Sequence, residues 1–589
     1  MKKLYYLFLL LLNTPLLAQN NYVANIVNAS GPGTYNTLVG PGAGNGITTG
    51  YNNAFVGYYA GYNNTTGYQN TFMGYQAGRA NSTGNFNTSM GYNAGSSNTS
   101  GGFNTFIGAS AGLFNTTGTQ NVHIGNNAGY FNQTGSLNTY VGFNAGSYNS
   151  TGTQNTFMGN VAGELTTTGY DNVFIGFSAG RANSSGNVST FVGSGAGRSN
   201  TTGGQNTFLG YQAGYSNTTS PYNVFLGYRT GYANTTGNQN TFVGSSAGEL
   251  NTTGFFNTFV GESTGRKNTS GSGNSFVGTQ AGYNNTEGAS NTFVGQSAGQ
   301  SNQTGTQNTF LGHQAGFNST ARANTFLGQR TGFATTSGTQ NTFVGYNAGQ
   351  NVTVGSNNII IGPSSGTAVV DSDDNVLMGY NVQSGNGNGS HNVIIGGEAG
   401  GGQWAGGNNT LIGHQASAES ISLHHATAIG AGARVTVSNA VILGNQANVG
   451  IGTTAPTARL HVSSGQPNES GFRLADLTSN SPTTQHTDQF LTVNERGDVI
   501  KARYQLRINN VTEWSDKVFA PNYTLRSLDS VASFVQTNGH LPGVPSASEV
   551  MKEGVDLAKM NATLLEKIEE LTLYLIQQQK RIEQLEKRN

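Results

Sequence analysis

A five-residue motif, Asn-Thr-Phe-aliphatic-Gly, recurs with a 17-residue period between Asn36 and Ala426 and constrains the fold more than any other feature. Its 24 copies keep this spacing except at one step, from Asn308 to Asn324, which is one residue short. The fifth residue of the motif is Gly in every copy, and the fourth is always Val, Ile, Leu or Met. So strict a repeat indicates that each unit forms one turn of a stacked structure.

The unit that begins at Asn70 indicates what kind of turn this is. Its structural residues are Asn70, Phe72, Met73, Gly74, Ala77 and Gly78. Two glycines per unit would each cost about 1 kcal/mol inside a helix, and the apolar residues show no helical period. The sequence therefore predicts a mainly β fold, a parallel β-solenoid or β-roll of 17-residue repeats that spans 36–430. The missing residue is expected in the polar turn between Gly316 and Asn324, where a solenoid tolerates a deletion.

The two faces of the repeated strand present different side chains. Alternation along a strand places Thr71 and Met73 on one face and Phe72 on the other, so stacked units form an aliphatic ladder and a Phe ladder. An apolar ladder of this length is not left in water. We expect the Phe ladder to be buried between chains, with burial inside a single coil as the alternative. The asparagines are expected to form hydrogen-bonded ladders between turns.

These units resemble the head repeats of trimeric autotransporter adhesins and of some phage tail fibres. The likeness is closest at 426–430 and 439–444, where the shorter step from Gly430 to Gly444 is similar to that family's repeat. The resemblance extends over the repeats from Asn36 to Gly444. It implies a left-handed β-roll from each of three chains, joined into one rod that binds host surfaces or matrix. The family's C-terminal outer-membrane barrel segment has no counterpart, so anchoring by that route is not expected.

The N-terminus has the pattern of an export signal. Lys2 and Lys3 precede the apolar run Leu4–Leu12, and Ala18 precedes Gln19, which predicts a signal peptide over 1–18. No later stretch is long and apolar enough for a membrane-spanning helix, so no integral membrane anchor is expected. The chain has no cysteine, so it forms no disulfides. Its 26 basic and 26 acidic residues give no net charge, which argues against nucleic-acid binding. We expect a secreted or cell-surface protein.

The segment 455–589 has a different composition from the rest, with 31 of the 52 charged residues of the chain. The expected segments are a lead-in over 19–35, the head of 24 repeats over 36–430, a transition over 431–454, a β neck over 455–510, a chaperone-like cap over 511–556 and a coiled coil over 557–589. In the neck, Arg459–Val462 reads as a strand and 489–500 as a hairpin. This region is therefore predicted to be small and α+β.

The coiled coil is predicted from apolar residues in heptad spacing. The seam comprises Leu557, Asn561, Leu564, Ile568, Leu571, Leu575, Gln578, Ile582 and Leu585. Charged residues such as Glu566 and Lys580 occupy the remaining faces, which favours self-association over packing on the chain's own domain. The heptads are compatible with two strands as well as three, and the expectation of a homotrimer rests on the resemblance of the head.

The segment that begins at Trp514 and leads into the coil is weakly similar to the C-terminal chaperone domains of endosialidase-type tail fibres. In that family a Ser and a Lys five residues later cut the chaperone from the folded trimer. Here Ser515 has Ala520 at that offset, and Lys517 is too near. A serine needs a base to become a nucleophile. We therefore expect a retained trimerisation and folding cap, with Ser515 and Lys517 as candidate remnants of a catalytic pair.

Other candidate sites have simpler explanations. Adjacent His424 and His425 would point to opposite faces of a strand, a poor arrangement for one metal. The aspartates at 371, 373 and 374 lack the glycine and glutamate of a calcium loop. The glycines at 40, 42 and 44 have no lysine or acidic partner for a phosphate or dinucleotide. No metal, cofactor or enzymatic activity is expected.

The sequence thus predicts a non-catalytic fibre that attaches to surfaces or matrix through a ligand it does not identify. Two alternatives remain. A single-chain solenoid with regular Thr and Asn ladders could order water and bind ice. A tail-fibre-type protein could cleave itself, which would require the lysine that is missing.

Overall fold

A computed structural model describes residues 23–25, 33–383, 389–401, 406–420, 422–467, 469, 471–475, 481, 489–503 and 510–588. The predicted signal peptide lies outside these residues. The chain divides into two compact units, Met1–Val449 and Gly450–Asn589. The first is called the head unit and the second the C-terminal unit.

The head unit is a stack of β-coils whose strands form one 26-stranded sheet. Each coil contributes a three-residue strand at positions 2 to 4 of the repeat, counted from Asn36 as position 1. Neighbouring strands are parallel and in register, so Thr71 pairs with Thr88 and Met73 with Met90, one repeat further along the chain. The N-terminal strand is the exception, since β1 pairs antiparallel with β2. The prediction of a parallel β-solenoid with 17-residue spacing is confirmed.

The strands of the head unit, numbered in chain order, are β1 (Val23–Asn25), β2 (Thr37–Val39), β3 (Ala54–Val56), β4 (Thr71–Met73), β5 (Thr88–Met90), β6 (Thr105–Ile107), β7 (Val122–Ile124), β8 (Thr139–Val141), β9 (Thr156–Met158), β10 (Val173–Ile175), β11 (Thr190–Val192), β12 (Thr207–Leu209), β13 (Val224–Leu226), β14 (Thr241–Val243), β15 (Thr258–Val260), β16 (Ser275–Val277), β17 (Thr292–Val294), β18 (Thr309–Leu311), β19 (Thr325–Leu327), β20 (Thr342–Val344), β21 (Ile359–Ile361), β22 (Val376–Met378), β23 (Val393–Ile395), β24 (Thr410–Ile412), β25 (Ser417–Ala418), β26 (Thr427–Ile429), β27 (Arg434–Val435) and β28 (Val441–Leu443). The short β25 and β27 pair with each other outside the main sheet.

The Phe ladder forms the core of the coil. Rings from Phe157 to Phe343 stack on successive coils with centroids 4.6 to 4.9 Å apart and planes within 11° of parallel. These rings are fully buried within one chain. The expectation that they are buried between chains is therefore wrong. The physical reason is the small pair at positions 8 and 9, because Ala77 and Gly78 leave room for the Phe72 ring inside its own coil.

The asparagines at positions 1 and 12 form the predicted ladders inside the coil. Asn70 donates its backbone N–H to the side-chain oxygen of Asn53 at 3.0 Å, and Asn81 donates its amide to Asn64 at 2.7 Å. The amides of Asn70 and Asn81 also converge on the carbonyl of Gly84, at 2.9 and 3.0 Å. Buried polar groups are stable only when they are paired in this way. The ladders therefore replace part of a conventional apolar core.

The short coil, residues 308–323, keeps the strands in register despite its missing residue. Thr309 still pairs with Thr325, and the amide of Asn308 reaches the carbonyl of Ala321 at 2.7 Å, where most other coils use a glycine. The residue lost is thus at position 14, in the polar turn where the sequence placed it. A solenoid absorbs the deletion there because the residue at this position, Thr83 in the unit that begins at Asn70, is exposed on the surface.

The C-terminal unit begins with paired short strands and ends in helices. Its strands are β29 (Val449–Ile451), β30 (Leu460–Val462), β31 (Gln489–Val493) and β32 (Val499–Arg503), and its helices are α1 (Leu528–Asn538), α2 (Ala547–Glu553) and α3 (Leu557–Glu586). β31 and β32 form the expected antiparallel hairpin. Two short 3-10 segments, Val511–Glu513 and Ser515–Phe519, precede α1. Helix α3 begins at Leu557, where the heptad pattern begins, and Asp556 caps it through Ala558 and Lys559.

Candidate interaction surfaces

The described part of the chain shows neither a metal-binding group of side chains nor a helix that could span a membrane. Among these residues there is no group of three or more His, Asp or Glu side chains placed to hold a metal ion. No described helix is both long and apolar enough to cross a bilayer. The exposed surfaces are therefore the candidate functional sites.

The histidine pair and the aspartates lie on the outside of the head unit. His424 and His425 are exposed in the segment between β25 and β26, and His425 has a left-handed backbone with φ of 54°. Their Nδ1 atoms are 3.1 Å apart, so the expectation that the two rings point to opposite faces of a strand is wrong. Asp371 and Asp373 accept hydrogen bonds from Thr353 and from the backbone of Ser356, at 2.6 and 2.7 Å. These carboxylates tie one coil to the next.

The candidate pair Ser515 and Lys517 lies where the second 3-10 segment packs on α3. Ser515 is buried and donates its hydroxyl to Glu569 at 3.1 Å. Lys517 instead pairs with Glu566 at 2.8 Å. Each side chain therefore engages its own carboxylate of α3, an arrangement that fastens the segment to the helix.

Charge and burial set the protonation of this contact. Although burial opposes ionisation, the hydrogen bond from Lys517 and the charge of Lys567 hold the pKa of Glu566 below its ordinary value. Tyr523 donates its hydroxyl to Glu570, and burial together with that carboxylate raises the pKa of Tyr523. The contact thus favours an ionised carboxylate at Glu566 and a neutral phenol at Tyr523.

The predicted seam of α3 lies away from this contact and is exposed. Leu564, Ile568, Leu571 and Leu575 are 45 to 59% exposed in the single chain, and Leu557, Ile582 and Leu585 are similarly open. The contacts of α3 with the segment before α1 come instead from Glu566, Glu569, Glu570 and Tyr574. An amphipathic helix that packs on its own domain would bury its apolar stripe. Here the hydrogen bonds and ion pairs come from the other side of the helix, and the apolar stripe remains about half exposed in the single chain.

The head unit has a second exposed apolar feature. Because position 3 points inward, positions 2 and 4 of every strand point outward, as alternation predicted. Met73 is 40% exposed, Leu209 47% and Leu311 43%. These side chains form the aliphatic ladder on the outer face of the 26-stranded sheet.

A ladder of charged and aromatic side chains runs along position 10, and the sequence reasoning missed it. Glu164 pairs with Arg181 at 2.7 Å, and Glu249 pairs with Arg266 at the same distance. Arg266 also donates to Tyr283 at 2.9 Å. The signal for this ladder in the sequence was the placement of opposite charges one repeat apart. Each pair joins neighbouring coils and favours one register over a slip by a whole repeat.

Exposed tyrosines mark the coils nearest the N-terminus. Tyr58, Tyr75 and Tyr92 stack at position 6 with centroids 5.3 and 5.2 Å apart, and their exposed fractions are 40 to 56%. Between Gly33 and Gly163 the only charged side chain of the Lys, Arg, Asp and Glu types is Arg79. This part of the surface therefore offers aromatic edges, hydroxyls and amides rather than charge.

No protein-family model matches the chain, and no curated protein is similar to it.

Proposed function

We propose that this chain is a non-catalytic fibre protein, exported to the cell surface or the medium, that attaches to surfaces or matrix. Three copies associate through α3, and the C-terminal unit serves as their folding and trimerisation cap. In this proposal the coil is left-handed, as the resemblance of its repeats to adhesin heads implies.

The observation that carries the proposal is the unbroken stack of the head. Twenty-four repeats at a rise of about 4.8 Å give a rod of roughly 115 Å. Backbone and asparagine hydrogen bonds join nearly every turn to the next, and core rings stack on successive coils from Phe106 to Phe343, which makes such a rod stiff. A stiff rod with few charged side chains is suited to projecting and presenting, and its described residues include no group of three or more His, Asp or Glu side chains placed to hold a metal.

The test combines mass, length and adhesion of the protein from Gln19 to Asn589. Light scattering is expected to give the mass of three chains, and electron microscopy a head of roughly 115 Å. Matrix-coated or cell surfaces should retain the whole protein but not a chain that lacks the head. A compact particle, or equal retention without the head, would contradict the proposal.

Ice binding is the second candidate, and one observation favours it. The Phe ladder is sealed inside one chain, so a single solenoid is able to stand alone with its regular Thr and aliphatic face in water. A monomer by light scattering that also slows recrystallisation of ice would support this candidate over the fibre.

A further inference from the structure

The outer face of the head sheet is uniform in a way that the fold does not require. Position 4 is aliphatic in all 24 repeats, and position 2 is always Thr, Ser, Ala, Val or Ile. Neither column contains a charged or amide side chain. Both point outward, so the interior of the coil places no constraint on their chemistry.

Other outward columns tolerate variety. Position 11 is Leu250, Lys267 and Asn284 in three successive coils. Strand propensity accounts for Thr, Val and Ile at positions 2 and 4, but it does not account for Met73 or Leu209. Position 4 is therefore apolar throughout, beside a position 2 that is small or β-branched and mostly Thr.

The extent of this face exceeds what an isolated soluble protein exposes. Position 4 is 36 to 47% exposed in 11 of the 24 coils and less exposed in the others, so the column presents on the order of 1,000 Å² of apolar surface. The largest apolar patch of a typical monomer is roughly 300 to 600 Å², and a stable interface buries about 800 Å² per partner. The area is thus sufficient for a protein interface along the whole rod.

We infer that this face, formed by positions 2 and 4 of β2–β24 and β26, is covered by the same face of other copies of the chain. A partner must match a ladder that repeats at every coil, and a second solenoid with the same rise does so along its full length. Association of copies through α3 would raise the effective concentration of these faces for one another. The inference rests on the proposed assembly and adds to it the surface on which the heads meet.

Single cysteines introduced into the cysteine-free full chain test the inference. Val277→Cys places a thiol on the outer sheet face, where Val277 is 39% exposed. Leu250→Cys is the matched control, since Leu250 is 43% exposed at position 11. In the assembled protein, Val277→Cys should form interchain disulfides on mild oxidation and react several-fold more slowly with a bulky maleimide than Leu250→Cys. Circular dichroism of both variants checks that the coil is intact.

Light scattering on the same samples separates the outcomes. A multi-chain mass with protection at position 277 alone supports the inference. A multi-chain mass with both thiols equally reactive overturns the inference but leaves the proposed fibre in place. A one-chain mass overturns both, and inhibition of ice recrystallisation by that monomer would assign the same face to ordered water.

Discussion

Side chains inside the head coil are fully buried, and burial changes the chemistry of a single residue there. His123 takes the position of the core Phe, and its ring stacks on Tyr140 with centroids 4.8 Å apart and planes 8° from parallel. Neither ring nitrogen has a hydrogen-bond partner among the described residues. Burial disfavours the charged imidazolium and lowers the pKa of His123 to about 3. This ring therefore stays neutral in the folded coil.

The first prediction is that His123 makes its coils sensitive to acid. The pKa in the unfolded chain is 6.5, so the unfolded state binds the proton more readily than the folded state. The contribution to stability is complete above pH 6.5 and falls as the pH approaches 3. Between pH 7 and pH 5 the loss is about 2 kcal/mol. Hydrogen exchange of residues 121–154 at these two pH values should show it in the wild type and not in His123→Phe.

The control for this comparison is His424→Asn, which removes a histidine from the surface. It should leave the acid sensitivity of residues 121–154 as in the wild type. Equal losses in the wild type and in His123→Phe would show that carboxylates elsewhere cause the effect.

The second prediction concerns the glycine at position 9. Gly78 has φ of 57°, and a Cβ there would lie 2.6 Å from the Phe72 ring. Gly78→Ala should therefore destabilise its coil by about 2 to 4 kcal/mol through overpacking and backbone strain. Gly195→Asn is the control, because a Cβ at Gly195 meets nothing nearer than 3.4 Å and Asn tolerates its φ of 69°. Thermal unfolding and local hydrogen exchange measure both, and equal costs would contradict the steric account.

At the scale of the element, the period of the repeat specifies most of the coil. The motif locates the strand in each unit, and the glycines and polar turn locate the corners, because each occupies a fixed place in a 17-residue period. The inward face was not decided by alternation, since both Phe72 and Met73 are apolar. The decisive signal was the pair Ala77 and Gly78, whose small size admits a ring into the coil. The charged ladder at position 10 was also readable in principle, as opposite charges one period apart.

The third prediction follows from this modularity. Deleting residues 291–307 removes one coil and leaves β16 beside β18, with Asn274 and Asn308 as ladder neighbours. The head should shorten by about 4.8 Å and keep its circular dichroism, because solenoid stability is mainly a sum over neighbouring coils. Deleting residues 291–298 removes half a coil and should unfold the coils around it. If the 17-residue deletion also collapses the head, cooperativity extends well beyond nearest neighbours.

At the scale of the molecule, the two units differ in how completely they bury their apolar side chains. The head closes its core within one chain. The C-terminal unit has few buried apolar side chains, among them Val518 and Ala562, and leaves the seam of α3 in solvent. Assembly is therefore expected to be decided by the helix, while the heads add contact area once they are aligned.

The last prediction tests the helix with adjacent, matched substitutions. Leu575 lies on the seam and is 59% exposed, whereas Ile576 lies off the seam and is 45% exposed. Leu575→Glu should lower the mass of the full chain from three chains to one, because association would bury its carboxylate among apolar side chains at a cost of several kcal/mol. Ile576→Glu should leave the mass unchanged, because its carboxylate stays in water. Light scattering gives the masses, and circular dichroism checks that both variants keep their helices. If Leu575→Glu keeps the wild-type mass, the chains are held together by the outer face of the head and not by α3.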